Sequence, residues 1–165
     1  MRPWQYHATV TIRIERVSAS VTWPLRQAVL RPHQSIEQLR LPSDDLLTTA
    51  CLAAFGDDGE VVGTSQVALE EAPFRASDIG NDVTPAWRLR GMATREDFRG
   101  SGVGTTLLNQ VIDYVTEWKG AVLWCNARLA AINLYLRLDF RTYGDPWLDP
   151  DIGAHVVMWR PMSGE

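Results

Sequence analysis

The chain has 165 residues, 45% of them hydrophobic and 22% charged, which suits a globular domain and excludes extensive disorder. Its formal charge of −4 argues against a general nucleic-acid binder, which carries a net basic footprint. No apolar run approaches the length that spans a bilayer, and Met1 to His7 lacks the apolar core of a secretion signal, so a cytoplasmic protein with neither membrane nor nucleic-acid partners is expected. Cys51 and Cys125 sit in apolar stretches and read as buried free thiols. The three histidines are far apart and no Cys/His metal spacing occurs, so no metal is expected.

In chain order, Thr9 to Val17 alternates apolar and polar residues as a half-buried strand does. Pro24 is expected to open a short helix with Leu25, Val29 and Leu30 on one face, ended by Pro32. Leu46 to Phe55 and Glu60 to Leu69 read as strands joined by a turn at Asp57-Asp58-Gly59. Ala72 to Pro85 reads as a surface loop, and Trp87 to Ala93 as the next strand. A long helix is expected from Gly102 to Lys119, its apolar residues at helical spacing and Lys119-Gly120 as its stop. Ala121 to Cys125 reads as a strand buried on both faces, and Ala127 to Leu138 as a second helix. Phe140 to Tyr143 and His155 to Trp159 close the chain as strands around a loop from Gly144 to Gly153. No repeat or linker interrupts this order, so residues 1–165 are expected to form one α/β domain, a mixed sheet with helices on both faces.

The most informative segment runs from Trp87 to Lys119. Glycines 100, 102 and 104 cluster where the long helix must begin. The first turn of a helix offers free N–H donors and the positive end of a dipole, and glycine lets a ligand come close. Together these make a site for a pyrophosphate, to which Arg99 can add a charge-assisted bond. A Walker-type loop needs Gly-Lys-Ser/Thr, whereas this one ends Gly104-Thr105-Thr106. A dinucleotide fingerprint needs G-x-G-x-x-G, whereas here the glycines run G-x-G-x-G.

Arg99-x-x-Gly102-x-Gly104, after a strand ending Arg90-Gly91-Met92-Ala93 and before an amphipathic helix, resembles the acyl-CoA motif of the GNAT superfamily of N-acetyltransferases. Leu134-Tyr135-Leu136-Arg137-Leu138-Asp139-Phe140 is similar to the junction that ends the GNAT core, with Asp139 where glycine is usual. Leu89 to Ala93, Trp124-Cys125-Asn126-Ala127-Arg128, Gly153-x-His155-x-x-Met158 and Leu25 to Pro32 resemble a bacterial GNAT subgroup of poorly defined substrate. The resemblance implies a mostly antiparallel, twisted α/β sheet and acetyl-CoA as acyl donor. It places the pantetheine arm between two splayed strands, against the backbone of Met92, Ala93 and Thr94. The amides from Arg99 through Gly100, Ser101, Gly102, Val103 and Gly104 to Thr105 would hold the pyrophosphate, with Asn133 as a polar contact. The Met92 amide would polarise the thioester carbonyl. Tyr135 matches the tyrosine that protonates the departing thiolate, and the subgroup pattern puts His155 near the site as a candidate base. Glu96 reads as a solvated charge.

A central strand seldom sends two arginines toward a dry core, and Arg88, Arg90 and Met92 share one face of theirs. In the GNAT layout the helix that carries Arg26 and Arg31 borders the acceptor site, as do Arg90, Asn126 and Arg128. Arginine forks bind carboxylates and phosphates, so the expected acceptor is a small-molecule amine with an anionic group. Acetylation of a protein N-terminus or lysine, and a noncatalytic acyl-CoA sensor, are the alternatives. Trp4, Trp147 and Trp159 look exposed and would suit a homodimer surface.

Overall fold

The computed structural model describes residues 10–162. Their strands are β1 (Arg13–Val17), β2 (Ala50–Phe55), β3 (Val61–Leu69), β4 (Ala86–Thr94), β5 (Val122–Arg128), β6 (Arg141–Asp149) and β7 (Gly153–Pro161). They form one seven-stranded sheet in the order β1-β2-β3-β4-β5-β7-β6. Every pairing is antiparallel except that of β4 with β5. The helices are α1 (Ala19–Leu30), α2 (Ala76–Ile79), α3 (Val103–Glu117) and α4 (Ile132–Leu136). No helix among the described residues is long and apolar enough to cross a membrane.

α3 packs on one face of the sheet through Val103, Leu107, Leu108, Val111 and Val115, each at most 2% exposed. It lies so close that a methyl group on Gly63 of β3 would come within 2.6 Å of Val103. α1 covers the opposite face, where Arg26 meets Gln66 and Gly91. The expected α/β sheet with helices on both faces is therefore the fold.

Several boundaries differ from the expected ones. β1 is shorter than the alternating run, because β2 ends opposite Arg13 and leaves residues 10–12 no strand to pair with. Thr9 lies outside the described residues. α1 starts at Ala19, with Pro24 inside it rather than at its head. The proline removes only the donor to the Ser20 carbonyl, and both residues are exposed to water that can replace it. The run before β2 turns at Pro42–Asp45 and leaves Leu46 and Leu47 outside, and the expected loop before β4 buries Phe74 in a second small core with Trp124 and Trp159.

At the end of α3 the left-handed residue is Lys119, not the glycine. Gly120 is required for space instead: a methyl group there would lie 2.5 Å from Val115 and 2.7 Å from Trp87. The second helix shrinks to α4 because Ala127 and Arg128 are drawn into the sheet opposite Val156 and His155. Asp139, where the family pattern has glycine, takes the left-handed conformation itself at φ 64°; a short polar side chain tolerates it. The expected loop after Tyr143 is mostly strand, since β6 continues through a bulge to Asp149. Of the tryptophans expected to be exposed, Trp159 is buried, Trp147 is 39% exposed and stacks on His155, and Trp4 lies outside the described residues.

Candidate functional site

β4 and β5 pair only from Ala86 opposite Val122 to Arg88 opposite Trp124. Beyond that point each strand keeps only its other neighbour. β4 stays on β3 as far as Thr94, and β5 stays on β7 as far as Arg128. The opening leaves two rows of backbone donors and acceptors facing each other across a gap. It leads into a cleft of about 730 Å³ lined by both strands, α1, the head of α3, and the β6–β7 hairpin.

A bulge shapes the gap. Gln66 pairs with Arg90, but Thr64 pairs with Ala93, and Gly91 takes up the slack at φ 61°. The slip breaks the simple alternation of β4: Ala93 joins the face of Arg88 and Arg90, while Met92 packs toward the core. The Thr64 hydroxyl donates to the Gly91 carbonyl at 2.8 Å. In a trans peptide the next N–H, that of Met92, points the opposite way, out of the ladder and toward the gap.

At the head of α3, Gly100 and Gly102 adopt φ of 76° and 88°. The amides of Gly100, Gly102, Val103, Gly104 and Thr105 have no acceptor among the described residues. Those of Arg99 and Ser101, also expected to face a pyrophosphate, are already bonded to the Glu96 and Phe98 carbonyls at 3.2 and 3.3 Å. Val103 contributes only its amide, because its side chain is buried under β3. Arg99 and Gly104 line the cleft. Asn133 is exposed on α4 and does not, although Leu134 and Tyr135 beside it do.

Tyr135 and His155 come from opposite faces of the sheet. Tyr135 is 5% exposed and sits against Phe140 on the α3 side. Burial and the neighbouring Cys125 hold its phenol well above the ordinary tyrosine value, so it stays protonated. Burial also pushes the Cys125 thiol up to about 12, and Cys51 to about 11. His155 pairs across the sheet with Arg128 on one side and Trp147 on the other. Its Nδ1 lies 2.8 Å from the Gly153 carbonyl, which can only accept, so Nδ1 carries a proton and, in the neutral ring, Nε2 is the nitrogen that can accept one. Trp147 stacks on the ring at 5.8 Å and holds it in place.

Six arginines line the cleft (Arg26, Arg31, Arg88, Arg90, Arg99 and Arg128) against one carboxylate, Asp149. In a chain of formal charge −4 this concentrates positive field in the groove. They are not equivalent. Arg88 and Arg90 both bind Glu70, at 2.6 and 2.9 Å. Burial pushes the Glu70 carboxyl up, but the bonds from Arg90 and Arg88 outweigh it and the net shift is downward. Arg88 also lies 4.5 Å over the Trp124 ring. Arg90 is thus largely committed within the protein. Arg26, Arg31, Arg99 and Arg128 have no ion-pair partner among the described residues. Arg128 donates to the Leu30 carbonyl at 2.8 Å, and its charge is disfavoured by burial and by Arg31 and Arg99 nearby.

An opened parallel pair, a bulged strand beside it and a helix presenting free amides agree with the comparisons with known proteins. The family model described as the acetyltransferase (GNAT) family matches residues 18–140. The chain belongs to the GNAT acetyltransferase family. It is similar to the uncharacterized N-acetyltransferase YitI of Bacillus subtilis (strain 168), 31% identical over 151 residues that cover 92% of this chain and 97% of the relative. Among solved structures it resembles the ribosomal-protein-S18-alanine N-acetyltransferase from Escherichia coli, with TM-score 0.69 and 18% identity over 94% of this chain and 96% of that one. It also resembles Escherichia coli ElaA, with TM-score 0.68 and 17% identity over 92% and 99% of the two chains. As a GNAT protein it is an acyl-CoA-dependent N-acyltransferase, and the family uses acetyl-CoA as a substrate. The free amides at the head of α3 and the unpaired strand backbone along the gap fit that substrate.

Four contributors escaped the sequence reading: Thr64, Gln66, Glu70 and Trp147. The polar run Thr64-Ser65-Gln66 inside an otherwise apolar strand was a signal, since buried polar groups need partners. Gly91 in mid-strand was another, because glycine there often marks a bulge. Glu70 and Trp147 carry no local signature.

Proposed function

We propose that this acetyltransferase moves the acetyl group of acetyl-CoA to the primary amine of a small molecule bearing an anionic group, by direct attack in a ternary complex. The observation that carries this reading is the pair Tyr135 and His155 on opposite faces of one gap, with cleft arginines on the His155 side. His155 Nε2 takes a proton from the incoming ammonium and passes it to solvent. The free amine attacks the thioester carbon, and the Met92 N–H holds the charge that develops on the carbonyl oxygen. The C–N bond forms, the C–S bond breaks, the acylated nitrogen gives up its extra proton to solvent, and the Tyr135 phenol protonates the departing thiolate and regains a proton from the same solvent pool. An acyl-enzyme on cysteine is disfavoured, because a thiol pushed up to about 12 supplies almost no thiolate at neutral pH. The amides of Gly100, Gly102, Val103, Gly104 and Thr105, with Arg99, would hold the pyrophosphate. Ala93 and Thr94 would pair with the pantetheine arm.

Isothermal titration with acetyl-CoA followed by a thiol-release assay on an amine panel tests the reading. Binding, then faster release with carboxylated than with uncharged amines, is expected. Binding without release on any amine would favour a sensor. Equal rates on both amine types would sink the anionic acceptor.

A further inference from the structure

Arg26 is 7% exposed, yet its guanidinium has one hydrogen bond among the described residues, a long one of 3.4 Å to Gln66 Oε1. A guanidinium carries five N–H donors, and those of Arg26 that meet no protein acceptor are in contact with the cleft rather than sealed in the core. Arg88, beside it in the groove, bonds Glu70 through one guanidinium nitrogen and lies over the Trp124 ring, so its charge is paired within the protein, whereas Arg26 has no ion-pair partner among the described residues. Arg26 lines the cleft, so its remaining donors open onto it.

Its position is held from behind. Gln66, 1% exposed, is anchored by its amide to Asp44 Oδ1 at 2.7 Å. In front, Arg26 lies against the bulge: a methyl group on Gly91 would come within 2.8 Å of Nε and 3.1 Å of Cδ. Gly91 immediately precedes the Met92 amide assigned to the thioester carbonyl. An anion held by Arg26 would therefore lie near the Gly91–Met92 peptide, close to where the reading above puts the thioester. Val29, Leu30, Leu39 and Leu41 form an apolar wall on the same side of the cleft.

From this, we infer that the acceptor is a free α-amino acid with an apolar side chain, its α-carboxylate capping the Arg26 guanidinium while its amine faces the thioester. The inference rests on the acetyl-transfer reading above and narrows its acceptor. A peptide N-terminus has the amine without the carboxylate, and an ω-amino acid has the carboxylate too far from the amine.

The test is thiol release from acetyl-CoA by the full chain with the protein amino acids, their carboxamides and unbranched ω-amino acids of matched size. Leucine, leucinamide and 6-aminohexanoate form the central set, because the first and last are isomers. The expected result is a kcat/KM for the best α-amino acid at least about tenfold above those of its amide and its ω-isomer, as for a charged group that loses its partner. Arg26→Lys, which keeps the charge but not the fork, should raise KM for that amino acid by a larger factor than KM for its carboxamide. Thermal unfolding of the variant checks that it folds, and the wild-type panel stands without it. Preference for a carboxamide or an ω-amino acid would overturn the inference and leave acetyl transfer intact. Release with none of these amines, nor with any uncharged amine, would overturn both.

Discussion

The two ends of the cleft are built from different materials. The end proposed for the donor is backbone: five amides at the head of α3 without acceptors among the described residues, and the N–H freed by the Gly91 bulge. The end proposed for the acceptor is side chain: arginines from α1, β4 and β5, a histidine from β7 and a tryptophan from β6. Backbone recognises what every acyl-CoA shares, whereas side chains can change from one relative to another without disturbing the sheet. The donor end should therefore tolerate side-chain deletion and resist backbone change, and the acceptor end should do the reverse.

Tyr135→Phe joins the two ends and should have the largest effect. Loss of the general acid should lower kcat by about 10²–10⁴-fold with little change in either KM. Steady-state kinetics would read this, and an unchanged kcat would reduce Tyr135 to a packing residue.

Thr64→Val comes next. It keeps the shape but removes the hydroxyl that holds the Gly91–Met92 peptide plane. Losing a whole oxyanion donor costs about 10²–10³-fold, so loosening one should lower kcat by about tenfold. KM for acetyl-CoA should hold, and Thr64→Ser should restore the rate. If serine fails as valine does, Thr64 acts through packing alone.

Arg128→Ala set beside Ser101→Ala probes the contrast itself. The first should raise KM for a carboxylated amine by about tenfold and leave KM for acetyl-CoA in place. The second should change neither, because the hydroxyl it removes is already donated to the Phe98 carbonyl and the amide remains. A rise in KM for acetyl-CoA with Arg128→Ala would move that arginine to the donor end.

Glu70→Gln should have the smallest effect, and on stability rather than turnover. Its carboxyl is held below the ordinary value in the fold, so its contribution is present at neutral pH and is lost as pH falls through the lowered value. The variant should lose about 1 kcal/mol at pH 7, a modest figure because water reaches the pair. The difference from the parent should vanish in acid; denaturant unfolding at several pH values would show whether it does.

The same contrast explains what could be read in the sequence. The glycine-rich loop at the head of α3 was legible because glycine spacing before an amphipathic helix is a local pattern, and Arg99 to Gly104 carries it whole. The long helix and most strands were legible through their hydrophobic periods. The start of α1 was not, since Pro24 looked like a helix head although its lost bond falls on the solvent side. The part of β6 from Gly144 on was not, because its mostly exposed residues hide a strand that pairing with β7 enforces. The acceptor arginines were named, but their inequality was invisible: Arg90 is taken by Glu70, twenty residues away in sequence, and Arg26 is left short. Such differences arise from partners brought together by the sheet, which no local spacing records.

The most direct test of the whole account is a two-substrate initial-rate matrix of acetyl-CoA against a carboxylated amine, followed by thiol release. Amine-dependent release with intersecting reciprocal lines is the predicted result, since both substrates must meet in the gap before either bond changes. Parallel lines with an acetylated enzyme, or release no faster with amine than without it, would contradict it.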